Sequence, residues 1–129
     1  AEARTASGTQ QMAGGALPGG CLMAREEFLL RHPQVAAGLA EGVVQALRWL
    51  QTAGPTDLFK TVPVAPWIAD RAVYLGALDK LRDAYARDGR IQEEAVFNAW
   101  RLHARVAAQL PSSRSQLART FTSAFIRTR

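Results

Sequence analysis

The sequence has few of the residue types that carry covalent or metal chemistry. Cys21 is the single cysteine, so no disulfide can form within the chain, and His32 and His103 are the two histidines. Neither histidine has a cysteine or carboxylate at a spacing typical of metal ligands, and no serine lies in a GxSxG elbow. We therefore expect no metal site, no cofactor and no enzymatic activity.

Long apolar runs are also absent. No stretch approaches the roughly 18 apolar residues that a membrane span needs. The first ten residues, AEARTASGTQ, are polar and lack the apolar centre of a signal peptide, and the sequence does not begin with methionine. We therefore expect that the chain has been processed or cut from a longer protein.

Lysine is scarce too, since Lys60 and Lys80 are the only two and arginine supplies nearly all of the positive charge. The net charge of +5 allows two interpretations. A basic face could bind nucleic acid or another polyanion. Alternatively, the arginines are scattered over solvated helix faces, which their interspersion with Glu, Asp and Ala favours. The one local excess is the segment Arg114–Arg129, which has four arginines and no acid.

Helical periodicity dominates what is present. With 129 residues and 48% hydrophobic content, the chain has the composition of one globular domain or of part of a larger one. The strongest pattern runs from Pro33, a favourable first helical residue, to the Gly54-Pro55 stop. Its apolar positions predict one apolar face: Val35, Leu39, Val43, Ala46, Leu47 and Leu50. Gly38 and Gly42 within this helix predict close packing on a neighbour.

Further helices are predicted over residues 25–31, over 56–62, after an N-cap at Asp70, over 91–110 and over 116–127. Cys21–Met23 is predicted to be a short strand, and no convincing partner strand occurs in the sequence. Residues 1–20 are Gly-rich and are predicted to form a loop, either a connection or an anion-binding turn. The predicted class is mainly α, with five to six helices and one short strand.

A series of short motifs resembles one known family. In order, they are Arg4-Thr5, Gly8-Thr9, CLMAREEFL at 21–29, ALRWLQTAGP at 46–55, KTVP at 60–63, DRA at 70–72, EEA at 93–95 and LARTFTSAFIR at 117–127. Their order and spacing are similar to those in the C-terminal region of periplasmic substrate-binding proteins. These are the proteins that serve nitrate/sulfonate/taurine-type ABC transporters, and they include proteins similar to the thiamine-pyrimidine-precursor binders. The resemblance spans nearly the whole chain.

The resemblance implies the C-terminal part of a two-lobed α/β periplasmic binding protein of type II. Residues 1–20 would be a Gly-rich inter-lobe segment, and residues 21–129 would be the helical part of lobe I, a single incomplete domain. The strand partners of Cys21–Met23 would lie in an N-terminal lobe or partner chain that is missing here. The helix faces intended for that sheet would then be exposed in this chain alone.

The function implied is that of the solute-binding component of an ABC importer, or of its C-terminal portion. Such a protein works in the periplasm and hands a small, often anionic solute such as a sulfonate or nitrate to a permease in the membrane. The local residues implied in ligand binding are Arg4, Thr5, Gly8, Thr9 and Trp67. The alternative is a stand-alone basic helical module that binds nucleic acid or a protein partner; under the resemblance we expect no nucleic-acid binding.

Overall fold

The chain is mainly α-helical. The computed structural model describes residues 5–61, 70–107 and 113–127. Within those ranges it has seven α-helices and one 3-10 helix, and no β-strand. They are α1 (Ala6–Ala13), α2 (Glu26–Arg31), α3 (Pro33–Thr52), α4 (Pro55–Thr61), α5 (Arg71–Leu81), the 3-10 helix Arg82–Ala84, α6 (Glu93–His103) and α7 (Arg114–Ala118). The prediction of a mainly α chain is confirmed.

The helices belong to two compact units. The first comprises residues up to Glu41 together with those from Arg90 onward, and the second comprises Gly42–Gly89. α3 begins in the first unit and ends in the second. The predicted division into residues 1–20 and 21–129 stays a prediction. Within the described ranges, no helix combines the length and the apolar composition that a membrane crossing requires.

In the first unit, α1 and α7 both contact α6. Leu117 of α7 is buried, with 7% of its surface exposed. Arg114 lies 4.7 Å above the Phe97 ring and forms ion pairs of 3.2 Å with Glu93 and with Glu94. Because these ion pairs are more than half exposed, each contributes at most about 1 kcal/mol, whereas burying a leucine contributes about 1.5–3 kcal/mol. Apolar contact therefore holds α7 in place more than charge does.

In the second unit, polar groups complete the helix ends. Asp70 Oδ1 accepts hydrogen bonds from the amides of Ala72 at 2.8 Å and Val73 at 3.2 Å, which confirms the predicted N-cap. Arg82 donates through Nη1 to the carbonyl of Gln51 at 3.1 Å and through Nη2 to that of Ala53 at 2.9 Å. These carbonyls lie at and just beyond the C-terminus of α3, where no intrahelical donor reaches them. Arg82 thus joins the end of α3 to the end of α5.

Two predictions for the N-terminal third are wrong. Cys21–Met23 forms no strand: it has no regular secondary structure, and Leu22 and Met23 are 60% and 89% exposed. A strand needs backbone partners from other strands, which the described residues do not supply. The Gly-rich region predicted to be a loop contains α1. Thr5 caps its start, and Gly14, with a φ of 77°, forms its left-handed end.

Two helices are shorter than their apolar periodicity predicts. α6 ends at His103 rather than continuing to residue 110, although residues 108–110 lie outside the described part. The tail helix predicted over 116–127 is the five-residue α7, which begins with a Ser113–Gln116 capping box. It ends where the Thr120 hydroxyl donates to the Leu117 carbonyl at 2.7 Å. That carbonyl is then satisfied by a side chain, and threonine propagates a helix poorly.

Candidate functional site

Three of the residues implied in ligand binding lie together at the N-terminus of α1. Thr5 is the N-cap, and its Oγ1 accepts the Gly8 amide at 3.1 Å. The Thr9 hydroxyl donates to the Thr5 carbonyl at 3.3 Å, and Ser7 Oγ lies 3.3 Å from Thr5 Oγ1. The first turn of α1 has no acidic residue. The structure therefore gathers the hydroxyls of Thr5, Ser7 and Thr9 at a helix end whose first turn has no acidic residue.

The same geometry limits what each residue can offer a ligand. The Gly8 amide is already bonded to Thr5, and Gly8 is buried, so its observed role is to complete the cap. The hydroxyls of Thr5 and Ser7 belong to exposed residues, and Thr9 is half-buried. Ser7 was not foreseen from the sequence, although a second hydroxyl two residues after an N-cap threonine was a usable signal. Arg4 and Trp67 lie outside the described residues.

α1 is held at its other end by side chains of α6. Asn98 Nδ2 donates to the Ala16 carbonyl at 3.2 Å, and Arg101 Nη2 donates to the Ala13 carbonyl at 3.3 Å. Asn98 is only 2% exposed. The cleft beside this contact has a volume of about 10 Å³, room for about one water molecule. The contact therefore fixes α1 and leaves no space for a solute.

α3 has an apolar face that the described residues do not cover. Val35, Leu39 and Val43 are 52%, 54% and 40% exposed, whereas the buried side chains of this helix are Ala36 and Val44. Four of the six positions predicted to form one apolar face, Val35, Leu39, Val43 and Ala46, are exposed. The apolar pattern correctly located a face but could not show whether this chain supplies its cover.

Small residues form the other half of that face. A Cβ built on Gly38 or on Gly42 would meet no atom within 4 Å, and Ala46 is exposed. At 100° per residue, these three positions and Val35, Leu39 and Val43 fall within an arc of about 140° that has no charged side chain. We call these six residues the α3 apolar face. Small residues beside branched ones let another backbone approach closely, so this surface suits a packed layer rather than solvent.

A second surface cleft, of about 210 Å³, lies along α2 and combines Arg25, Glu27, Phe28, Arg31 and His32. Arg31 and Glu27 form an ion pair of 2.8 Å, and the Phe28 and His32 rings lie 5.3 Å apart. All five residues are exposed and belong to one short helix and its flanks. Exposed cations on a single turn contribute little to binding, so this cleft is a weak candidate for a solute site.

The described residues contain no group of three or more His, Cys, Asp or Glu side chains that could hold a metal ion. His32 and His103 are both exposed, at the end of α2 and in the last turn of α6. Neither histidine has a carboxylate among the contacts described above.

No protein-family model matches this sequence, and neither the curated proteins nor the solved structures include a match.

Proposed function

We propose that this chain is the C-terminal portion of a periplasmic solute-binding protein of an ABC importer. The α3 apolar face is the observation that supports the proposal most. In a two-lobed α/β protein, helices cover a sheet, and a helix separated from that sheet exposes an apolar stripe. The motif resemblance assigns α3 to such a covering layer. In this interpretation the cover is a lobe encoded elsewhere in the protein or in a partner chain.

The free energy left unrealised on this face is substantial. Burying a Val or Leu side chain fully contributes about 1.5–3 kcal/mol, so three side chains about half exposed forgo roughly 3 kcal/mol. Gly38 and Gly42 each add a cost of about 1 kcal/mol relative to alanine inside a helix. Against the 5–15 kcal/mol stability of a typical domain, these amounts are large. A packed layer over α3 would realise the free energy of burial and offset the cost of the two glycines.

The solute in this proposal is a small anion such as a sulfonate or nitrate. The Thr5 hydroxyl, with Arg4 beside it in the sequence, is a donor suited to oxyanions, and the Thr9 hydroxyl can join it by exchanging its bond to the Thr5 carbonyl for one to the solute. Hydrogen bonds from hydroxyls and an arginine bind such solutes without a metal or a cofactor. The protein then acts by capture and delivery to a membrane permease, with no chemical conversion, in the periplasm.

The test is direct. The genomic reading frame around this sequence should encode an α/β lobe, either in continuity with Ala1 or in a neighbouring gene. The complete protein should bind taurine or nitrate in isothermal titration calorimetry, and Thr5→Val should weaken that binding. Thr56→Val is the matched control because Thr56 is an exposed threonine in the second unit. An independent start codon with no α/β lobe nearby, or a complete protein that binds neither anion, would remove the proposal.

The alternative of a basic module that binds nucleic acid or a protein partner gains no specific support from the described residues. Several arginines are engaged within the chain: Arg31 with Glu27, Arg82 with two backbone carbonyls, Arg101 with Ala13, and Arg114 with two glutamates. The local excess predicted for the tail is thus reduced at Arg114. Strongly salt-dependent binding of this chain to DNA or RNA would support this alternative.

A further inference from the structure

The turn that follows α1 is built around two side chains of α6. Asn98 donates to the Ala16 carbonyl at 3.2 Å, and Arg101 donates to the Ala13 carbonyl at 3.3 Å. The two bonded carbonyls flank Gly14 and Gly15. Asn98 is 2% exposed, and its bond to the exposed residue Ala16 is partly buried, so water reaches the donor less easily than the acceptor.

The close approach of Asn98 requires glycine at position 15, and the backbone conformation favours it at position 14. A Cβ on Gly15 would lie 2.6 Å from Asn98 Nδ2, and one on Gly14 would lie 3.2 Å from Arg101 Nη2. Gly14 also has a φ of 77°, in the left-handed region that favours glycine. By contrast, a Cβ on Gly19 or Gly20 would meet nothing within 4 Å. The crowding is therefore specific to the two glycines that face α6.

From this geometry we infer that Asn98 and Arg101 are positioning residues that latch the Gly14–Gly15 turn and thereby set where α1 presents Thr5 and Thr9. The role in solute binding rests on the function proposed above, whereas the latch itself rests only on these contacts. Arg101 contacts the C-terminal end of α1 and Asn98 contacts the turn after it, at the opposite end of the helix from Thr5 and about one turn from Thr9.

α1 is long enough that a small tilt at its C-terminal end displaces its N-terminal end by a distance that affects binding. Thr5 and Ala13 are about 12 Å apart along a helix that rises 1.5 Å per residue. A tilt of about 10° at the latched end would displace the Thr5 end by about 2 Å. Binding constellations must be held within about 0.5 Å of the productive geometry. A loosened latch would therefore weaken solute binding without removing any atom of the proposed site.

The first test follows the latch itself by hydrogen exchange of the α1 amides in the complete protein. Gly15→Ala should raise their exchange at least about fivefold through local opening, while the amides of α5 in the second unit stay unchanged. Gly19→Ala is the matched control: it makes the same change in the same segment, where no atom lies within 4 Å of the new Cβ. Equal exchange in Gly15→Ala and wild type would overturn the latch.

A double variant distinguishes a steric clash with Asn98 from a general loss of stability. If Asn98 is the obstacle, Gly15→Ala should add no further exchange in an Asn98→Ala background. An equal increase in both backgrounds would show that Asn98 is not the partner of Gly15. For Arg101, Arg101→Lys retains a donor for the Ala13 carbonyl and should keep α1 protected, whereas Arg101→Met should not. Loss of protection in both variants would contradict a role as hydrogen-bond donor.

The second test measures the affinity of the same variants for taurine and nitrate by calorimetry, well below their unfolding temperatures. Gly15→Ala and Arg101→Met should bind at least about tenfold more weakly than Gly19→Ala and Arg101→Lys. If α1 opens but the affinity is unchanged, the latch exists and the positioning role is refuted. If the wild-type protein binds neither anion, the proposed function fails, and the exchange data alone decide on the latch.

Discussion

The α1–α6 contact and the α3 apolar face show opposite ways of using glycine. At the contact, Gly14 and Gly15 allow α6 side chains to approach within hydrogen-bond distance of the backbone. On α3, Gly38 and Gly42 have the same lack of a side chain, and no atom of the described residues would lie within 4 Å of a Cβ there. The first surface is closed within this chain and the second is open. A glycine that meets no described neighbour, inside a helix where glycine is costly, is what the proposed layer over α3 would explain.

The largest expected effect comes from shortening a leucine to alanine at a buried position, compared with the same change at an exposed position. Leu117→Ala, at a position with 7% exposure, should lower the free energy of unfolding by about 2–4 kcal/mol because it leaves a cavity beside α6. Leu39→Ala, at a position with 54% exposure, should change it by no more than about 0.5 kcal/mol. Urea denaturation followed by far-UV circular dichroism measures both. Equal costs would mean that the α3 apolar face is covered in solution.

Local signals account for the parts of the fold that the sequence predicted well. The start of α3 at Pro33 and its end before Gly54, and the cap at Asp70, depend on residues within one or two turns. The features that local signals could not decide depend on non-local partners. Whether Cys21–Met23 pairs as a strand, and whether the α3 apolar face is buried, is decided by segments far away in the chain or outside it. Periodicity identifies a face but not its cover.

The candidate site also combines a local feature with one that depends on a distant part of the chain. A cap at Thr5 is a local feature that an N-cap rule could have predicted, yet the glycines around it favoured a loop. Asn98 could not have been predicted as a buried residue, since a polar side chain in a helix is normally assigned to the solvent face. Its burial depends on a carbonyl 82 residues earlier in the chain. Single-sequence reasoning has no access to such a pairing.

Replacing one glycine of each pair by alanine should change the stability of the chain by an intermediate amount, and in opposite directions. Gly42→Ala should stabilise this chain by about 1 kcal/mol, because alanine is favoured in a helix and its Cβ meets nothing. Gly15→Ala should destabilise it, since its Cβ would lie 2.6 Å from Asn98 Nδ2. The midpoint of thermal unfolding of the isolated chain should rise for Gly42→Ala and fall for Gly15→Ala. In the complete protein, Gly42→Ala should lose its advantage where another layer packs on α3; a gain that persists there would argue against that layer.

The smallest effect is expected at the exposed, charged edge of the contact between α6 and α7. Arg114 pairs with Glu93 and Glu94 at 3.2 Å each, and all three side chains are more than half exposed. Arg114→Met should therefore cost at most about 1 kcal/mol, and much of that cost should vanish in 1 M salt, where the screening length falls to about 3 Å. Arg87→Met, at an exposed position in the second unit, is the control and should show no salt-dependent difference from wild type. A cost for Arg114→Met that salt leaves unchanged would assign its contribution to contact with the Phe97 ring, 4.7 Å away, rather than to charge.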